Sequence, residues 1–358
     1  MLRRFGSAGA ALDVLPRLAR RGERDKPVAA PTRAEAAAEL AALDRAGAQL
    51  VCWGEPGYPK ALAAIEDAPP ILTVLGQTEL LRRPMIAVVG ARNASANGRR
   101  LARGLAAQLG QSGLVVTSGL ARGIDAAAHL GALETGSVAV VAGGVDVVYP
   151  AENRGLYDAL ARQGAVVAEL PLGTEPQARH FPRRNRIISG MSLGVVVVEA
   201  AARSGSLITA RFALEQGREV FAVPGSPLDP RSRGCNDLLR NGATLTESAE
   251  DVLVQLGAQL QGAEPVRMVP PVTIPAARPP IPSPASGGAP GWGPAAADPV
   301  GDEAAVEMIL ERLGPTPVAV DELVRQCQMS AAAVATLLLE LELAGQVERH
   351  PGNLVSLR

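Results

Sequence analysis

The residues best suited to chemistry lie at positions 178–211, ARHFPRRNRIISGMSLGVVVVEAAARSGSLITAR. Near its start, three arginines flank one asparagine: Arg183, Arg184, Asn185 and Arg186. Near its end, a turn of Ser204, Gly205 and Ser206 opens a helical pattern. The free backbone N–H groups at the start of a helix attract anions, and nearby guanidinium groups add fixed positive charge. This stretch therefore predicts a phosphate site.

Other predicted strand ends carry small residues of the same kind. Gly90-Ala91-Arg92, Ser118-Gly119 and Gly143-Gly144 each follow an apolar run. Open α/β sheets bind ligands at the carboxyl ends of their strands, so this pattern predicts backbone that approaches a ligand along one edge. Arg92 and Arg122 lie two to three residues past such turns. A single arginine is more often a solvated surface charge, so the prediction depends on the whole group.

The motifs of several other phosphate-binding proteins are absent. The chain has no GxxxxGK[ST], and its only GxG lies in a proline-rich segment, which disfavours nucleotide hydrolysis and dinucleotide binding. The histidines form no catalytic triad and the cysteines have no metal-ligand spacing, so neither a catalytic residue, a metal nor a cofactor is predicted. Four acids near strand ends could be catalytic or could cap helices and pair with arginines: Asp125, Asp146, Glu152 and Glu199.

Composition places the chain among globular proteins with more than one domain, since it has 358 residues, 47% of them hydrophobic and 20% charged. No apolar run approaches the roughly 20 residues of a membrane span, and the first residues lack the apolar core of a signal peptide. A cytoplasmic location is therefore expected. Residues 82–240 hold 19 arginines against 12 acids, whereas residues 241–358 hold 6 against 14. The basic middle predicts a polyanionic partner.

Apolar runs alternate with helical patterns through the middle of the chain. The runs lie at 85–89, 114–117, 138–142, 165–169, 194–199, 219–223 and 243–246. Such alternation predicts a mostly parallel α/β sheet with helices on both faces. Residues 257–299 are rich in proline, alanine and glycine and predict a linker. Residues 300–358 predict three helices and a hairpin, the outline of a winged-helix domain.

Five segments together resemble the DprA (Smf) family of DNA-processing proteins. They are IAVVGARNASANGRRLA, VVTSGLARGIDAAAHLGAL, GGVDVVYPAENRGLYDAL, FPRRNRIISGMSLGVVVVEAAARSGSLITARFALEQGREVFAVPGS and GCNDLLRNGA, in the family's order over about residues 50–256. The resemblance implies an extended Rossmann-like domain over residues 31–256 and makes residues 1–30 the remnant of an amino-terminal helical domain. It also implies a homodimer that binds and protects single-stranded DNA and loads the RecA recombinase in natural transformation and homologous recombination, without enzymatic activity.

Carried over by position, the resemblance assigns the DNA-binding residues. They are Gly90, Arg92, Ser118, Gly119, Arg122, Arg183, Arg184, Asn185, Arg186, Ser204, Gly205 and Thr209. Family members often have a basic residue where this chain has Ala151, so either Arg154 substitutes for it or affinity is lower. We place the dimer interface at residues 234–256. Tyr149 and Phe181 are either stacking platforms or core residues, and backbone-dominated binding predicts a salt slope of roughly −0.7 per neutralised phosphate.

Two further functions remain as alternatives. A Rossmann-like nucleotide phosphoribohydrolase would pair a PGGxGTxxE loop with a catalytic glutamate, but here Glu199 follows the strand without that loop. A structural scaffold with incidental basic charge would not change its DNA affinity when Arg92 or Arg186 is replaced. The third predicted helix of the carboxyl-terminal domain, SAAAVATLLLELELAG, has no basic residue. A major-groove reader needs cationic or amide side chains, so we expect this domain to contact protein, by docking on the basic domain, and not duplex DNA.

Overall fold

The computed structural model describes residues 5–7, 9–12, 14, 31–260 and 302–357. The chain divides into two compact units, Met1–Gln49 and Leu50–Arg358. In the first unit, helix α1 spans Arg33–Ala46. Thr32 and Glu35 form a capping box at its start, and Gly47 ends it in a left-handed conformation. Most of the predicted linker, from position 261 onward, lies outside the described residues.

A nine-stranded sheet has the order β1-β2-β6-β5-β4-β3-β7-β8-β9, and β2 to β9 belong to the second unit. Its strands are β1 (Ala48–Cys52), β2 (Ile71–Gly76), β3 (Met85–Gly90), β4 (Val115–Ser118), β5 (Ser137–Val140), β6 (Ala165–Ala168), β7 (Gly194–Val198), β8 (Glu219–Ala222) and β9 (Thr244–Leu245). All described pairings from β3 to β9 are parallel, and β2 joins β6 in antiparallel fashion. The predicted mostly parallel α/β sheet is confirmed.

Helices cover both faces of this sheet. They are α2 (Lys60–Ala63), α3 (Ala96–Gln111), α4 (Ile124–Ala132), α5 (Arg154–Gln163), α6 (His180–Met191), α7 (Ser206–Glu215), α8 (Arg233–Arg240) and α9 (Ala249–Leu260). Alternate residues of β3 point into the two cores: Ala87 and Val89 pack on the side of α6, and Ile86 and Val88 on the side of α3. Valine-rich strands buried on both faces explain why the apolar runs were continuous and not alternating.

The strand order reverses beside β3. The chain continues from β3 to β4 on one side, and β7 later pairs with the other side of β3. Because parallel strands end at the same edge, the loops after β3, β4, β5 and β7 meet there, at the position where sheets of this kind hold ligands. Each of the helices α3 to α7 follows one strand of the sheet and precedes the next, so all five begin at that edge.

The carboxyl-terminal residues form a winged-helix domain, as predicted. Its elements are α10 (Asp302–Arg312), β10 (Val318–Ala319), α11 (Val320–Cys327), α12 (Ala331–Leu343), β11 (Val347–His350) and β12 (Leu354–Leu357). Strand β10, which the sequence did not predict, pairs with β12 and completes a three-stranded sheet. Ile309, Leu323, Leu338 and Val355 are fully buried in its core. Among the described residues, no helix combines the length and the apolar character that a bilayer crossing requires.

Candidate nucleic-acid interface

An aromatic and guanidinium cluster lies at the carboxyl edge of the sheet. The Cζ atoms of Arg92 and Arg184 lie 5.4 Å and 5.9 Å from the centroid of the Phe181 ring. The Tyr149 ring lies 5.6 Å from the same ring, tilted by 57°. Guanidinium groups at such distances are attracted to the face of an aromatic ring. Tyr149 is 49% exposed and Phe181 is half-buried, so both belong to a surface cluster and not to the core.

Arg184 supports this cluster from below. Its side chain is buried, Nη1 donates to the carbonyl of Val140 over 2.5 Å, and the guanidinium lies against Gly119, where a Cβ atom would overlap it. Burial lowers the pKa of Arg184 to about 10; the charge of Asp125 opposes that shift and the charge of Arg92 adds to it. Burial likewise raises the pKa of Asp125, and Arg184 opposes the rise. The two side chains are both buried, and the charge of each acts on the pKa of the other.

Arg186 has a different role from the one predicted. Its side chain is only 8% exposed, with Nη2 2.6 Å from Oε1 of Glu169 and Nε 3.3 Å from Oδ2 of Asp67. Nη1 donates to the carbonyl of Asp67 over 2.7 Å. Because α6 turns this arginine toward the loop at Asp67, its nitrogens are occupied by protein acceptors. Arg186 therefore fastens α6 to that loop and is not available to a phosphate group at the surface.

Several other predicted residues also support the edge without facing solvent. Ser118 is buried and donates to the carbonyl of Val88 over 2.7 Å, and Thr209 is buried in α7. Asn185 is buried, and its Nδ2 donates to the carbonyl of Gly205 over 3.3 Å, which links α6 to the turn that opens α7. Gly205 itself is exposed, with open space where a Cβ atom would lie. Of these four residues, only Gly205 is exposed.

The glycines after the other strands have an internal explanation. A Cβ atom at Gly90 would overlap the carbonyl of Val198, and one at Gly143 would overlap the carbonyl of Thr174. At Gly144 a Cβ atom would lie 2.7 Å from the carbonyl of Pro171. Protein backbone that passes these positions is enough to require glycine there, so these glycines do not by themselves support the predicted ligand approach.

Four of the predicted arginines are exposed at the edge: Arg92, Arg122, Arg154 and Arg183. Nη1 of Arg122 lies 3.7 Å from Oε1 of Glu152, and Nη2 of Arg183 lies 3.2 Å from Oε1 of Glu169. Within the described ranges, no carboxylate lies within 4.0 Å of Arg92 or Arg154, the criterion for an ion pair. Arg179 and Arg203 are also exposed. Both lie within residues 178–211, but no motif in the sequence singled them out.

Glu199, a candidate acid, is bound to the start of α3. Its carboxylate accepts a hydrogen bond from the backbone N–H of Ser95 over 2.8 Å and a very short one from the Ser95 hydroxyl. Gly98 leaves room for this carboxylate, and Glu199 itself has a left-handed φ of 52°. The negative charge stabilises the positive end of the helix dipole. In the part of the chain that the structure describes, no three His, Cys, Asp or Glu side chains form a metal-binding group.

The winged-helix domain contacts the basic α/β domain beside the loop between β3 and α3, which confirms the predicted docking. Nδ2 of Asn93 lies 3.0 Å from Oε1 of Glu311. Arg231, paired with Asp229, donates to the carbonyls of Glu311 and Leu313 over 2.9 Å and 2.6 Å. An arginine that binds the last carbonyls of a helix satisfies groups which have no partner inside the helix. Helix α10 thus ends on a side chain of the other domain.

Three related family models match this chain. The family model of DNA recombination-mediator protein A matches residues 49–257. The chain belongs to this family. Models of a DprA winged helix domain and of a DprA-like N-terminal HHH domain match residues 293–353 and 1–42. The resemblance to DprA and Smf proteins is confirmed.

Named relatives and solved structures agree with this assignment to the family. The chain is 40% identical to Protein Smf of Escherichia coli K12, over 84% of this chain and 75% of that protein. It is 46% identical to DNA processing protein DprA of Streptococcus pneumoniae R6, over 55% and 71%. The X-ray structure of S. pneumoniae DprA matches with a TM-score of 0.57 and 43% identity, covering 60% of this chain and 77% of that one.

A second structure bears on the ligand of a relative. It describes the single-stranded DNA binding mode of DprA from Helicobacter pylori. It matches with a TM-score of 0.54 and 28% identity, covering 59% of this chain and 97% of that one.

Proposed function

We propose that this protein binds single-stranded DNA at the arginine and aromatic edge of its sheet and does not cut it. The observation that carries the proposal is the cluster of Arg92, Arg184 and Tyr149 around Phe181, bordered by exposed arginines. Proteins that bind single strands combine a positive groove for the phosphates with aromatic faces for unstacked bases. This cluster offers both. The relative from Helicobacter pylori, which is 28% identical, is described as binding single-stranded DNA.

The acids near the strand ends support a function without catalysis. Glu199 is bound to Ser95, and the carboxylate of Asp146 accepts hydrogen bonds from the N–H of Gly173 over 2.9 Å and 3.0 Å. Glu152 lies 3.7 Å from Arg122, and Asp125 is buried beside Arg184. A phosphoribohydrolase would need Glu199 free to reach its substrate. Incubation with nucleoside monophosphates should therefore release no base, and released base would favour the alternative.

The biological role is proposed from the family. We propose a cytoplasmic recombination mediator that protects incoming DNA and loads the RecA recombinase, in natural transformation or other homologous recombination. We also propose a homodimer through residues 234–256. Strand β9 forms an edge of the sheet there, and Leu245 and Val254 are 52% and 71% exposed. We retain the proposed domains at 1–30, 31–256, 257–299 and 300–358. Separate family models match the two ends and the centre, and the amino-terminal model extends to residue 42.

Titration of fluorescent oligo-dT against the protein at several salt concentrations tests the binding. If the four exposed arginines each neutralise one phosphate, the slope of log K against log salt should be about −3. Arg92→Ala should weaken binding and make the slope shallower by about 0.7. Arg82→Ala, which replaces an exposed arginine paired with Glu79 before β3, is the matched control and should leave the slope unchanged. Equal affinity of the wild-type protein and Arg92→Ala would contradict the proposal.

A further inference from the structure

The loop that separates β4 from α4 is held in a strained conformation. Leu120 has φ of 57°, in the left-handed region that residues other than glycine, asparagine and aspartate rarely adopt. Its side chain is fully buried, so the conformation cannot be attributed to an exposed, freely moving turn. Backbone in this region is unfavourable for a residue with a side chain and persists only where the surroundings impose it. Strain of this kind concentrates at functional sites.

Two side chains impose the conformation from opposite sides of the loop. On one side, Oδ2 of Asp125 accepts hydrogen bonds from the N–H groups of Gly119 and Ala121, over 3.1 Å and 3.4 Å. On the other, Nδ2 of Asn153 donates to the carbonyl of Leu120 over 2.9 Å. The three consecutive residues of the loop are thus each bound to a side chain from elsewhere. Asp125 comes from α4, and Asn153 comes from the turn before α5.

The loop in turn determines where the stacking surface lies. Gly119 leaves no room for a Cβ atom because the guanidinium of Arg184 lies against it. Arg184 is attracted to Asp125, and its Cζ atom lies 5.9 Å from the centroid of the Phe181 ring. A continuous set of contacts therefore runs from Asn153 and Asp125 through the loop to Arg184 and Phe181. A relaxed loop would move Gly119 and remove the fixed surface against which Arg184 packs.

We propose that Asp125 and Asn153 are positioning residues for the DNA site, which hold the strained loop so that Arg184 keeps the Phe181 ring in place to receive a base. This inference rests on the proposed function and deepens it. Asp125 is 7% exposed and Asn153 is half-buried, so the first acts through other residues and not by touching the strand. The phosphate contacts belong to the exposed arginines, which neither residue holds directly.

Base stacking on Phe181 and phosphate binding by the exposed arginines can be measured separately. A single 2-aminopurine within oligo-dT reports stacking by the quenching of its fluorescence, while the salt slope reports the phosphate contacts. Loss of one base stacked on an aromatic ring should weaken binding by about tenfold, which corresponds to about 1.4 kcal/mol. Full-length Asn153→Ala should show this loss, with reduced quenching and a salt slope that changes by no more than the roughly 0.7 of one phosphate, since only Arg122 follows the loop. Asp125→Asn should show the same effect if it folds.

Asn153→Ala is the principal variant because Asp125→Asn leaves the buried Arg184 without its partner charge and is expected to be much less stable. The matched control is Ser112→Ala, which removes a hydrogen bond of similar length, 3.0 Å from Oγ to the carbonyl of Gln108, at the far end of α3. Wild-type quenching retained by Asn153→Ala would overturn this inference alone. A shallower slope with unchanged quenching would overturn it as well. Absence of binding by the wild-type protein would overturn the proposed function together with it.

Discussion

Replacement of Arg186 by alanine separates a structural arginine from a DNA-binding one. The side chain of Arg186 is 8% exposed and contacts Glu169, whose side chain is 13% exposed. Removal of one partner of a buried ion pair costs about 3–5 kcal/mol, because the other charge stays buried. Glu169 would keep Arg183 at 3.2 Å, so the lower end, about 3 kcal/mol, is expected.

This loss of stability can be converted to a melting temperature. For a domain of 150–250 residues, 1 kcal/mol corresponds to about 2–4 °C, so Arg186→Ala should melt about 6–12 °C below the wild-type protein. Differential scanning calorimetry measures this change. Oligo-dT affinity, measured well below the melting transition, should change less than about twofold, since no phosphate contact is lost.

Arg92→Ala should behave in the opposite way. Arg92 is exposed and, among the described residues, forms no ion pair, so its removal should leave the melting temperature within about 1 °C and should weaken DNA binding. An Arg186→Ala protein of normal stability with the DNA-binding loss of Arg92→Ala would refute the assignment. It would mean that Arg186 leaves Glu169 and turns toward the strand.

Two further predictions concern groups outside the DNA site. Burial, and then the charge of Arg184, lowers the pKa of His129 to about 3, below its ordinary value of about 6.5, so between these pH values the unfolded chain binds more protons and stability falls as the pH falls. Urea unfolding should show that His129→Gln loses up to about 1.4 kcal/mol per pH unit of this slope, whereas the half-exposed control His180→Gln retains it. Arg231→Ala should release the end of α10, with faster amide hydrogen exchange in that helix than in the wild-type protein or the exposed control Arg233→Ala; unchanged exchange would show that Arg231 does not hold the domain.

The parallel sheet could be predicted because each of its strands carries its own signal. Runs such as Val195–Val198 are short, continuous and rich in β-branched residues, which is typical of strands buried on both faces. Strand β10 escaped prediction because it has only two residues and depends on pairing with β12. Its formation is decided by a distant partner, and local sequence does not carry that information.

The arginine cluster could be predicted from the sequence, but what each of its side chains contacts could not. Arg183, Arg184 and Arg186 are near neighbours with the same chemistry, yet one is exposed, one lies under an aromatic ring and one is held by Glu169. The helical rotation of about 100° per residue turns each in a different direction. What each meets there depends on Glu169, Asp67 and Asp125, which come from other elements. Glu169 itself gave no signal, since a single glutamate after a strand is common.

The carboxylate of Glu199 at the start of α3 has a consequence for control of the protein. In dinucleotide-binding sheets, the helix after the first strand of the fold receives the phosphates of the cofactor. Here α3 occupies the equivalent place, and the protein supplies the anion itself through Ser95 and Glu199. The start of α3 is therefore not free to bind the phosphates of a nucleoside triphosphate. If the protein holds single-stranded DNA as proposed, a nucleotide bound at the start of α3 cannot drive release of the strand.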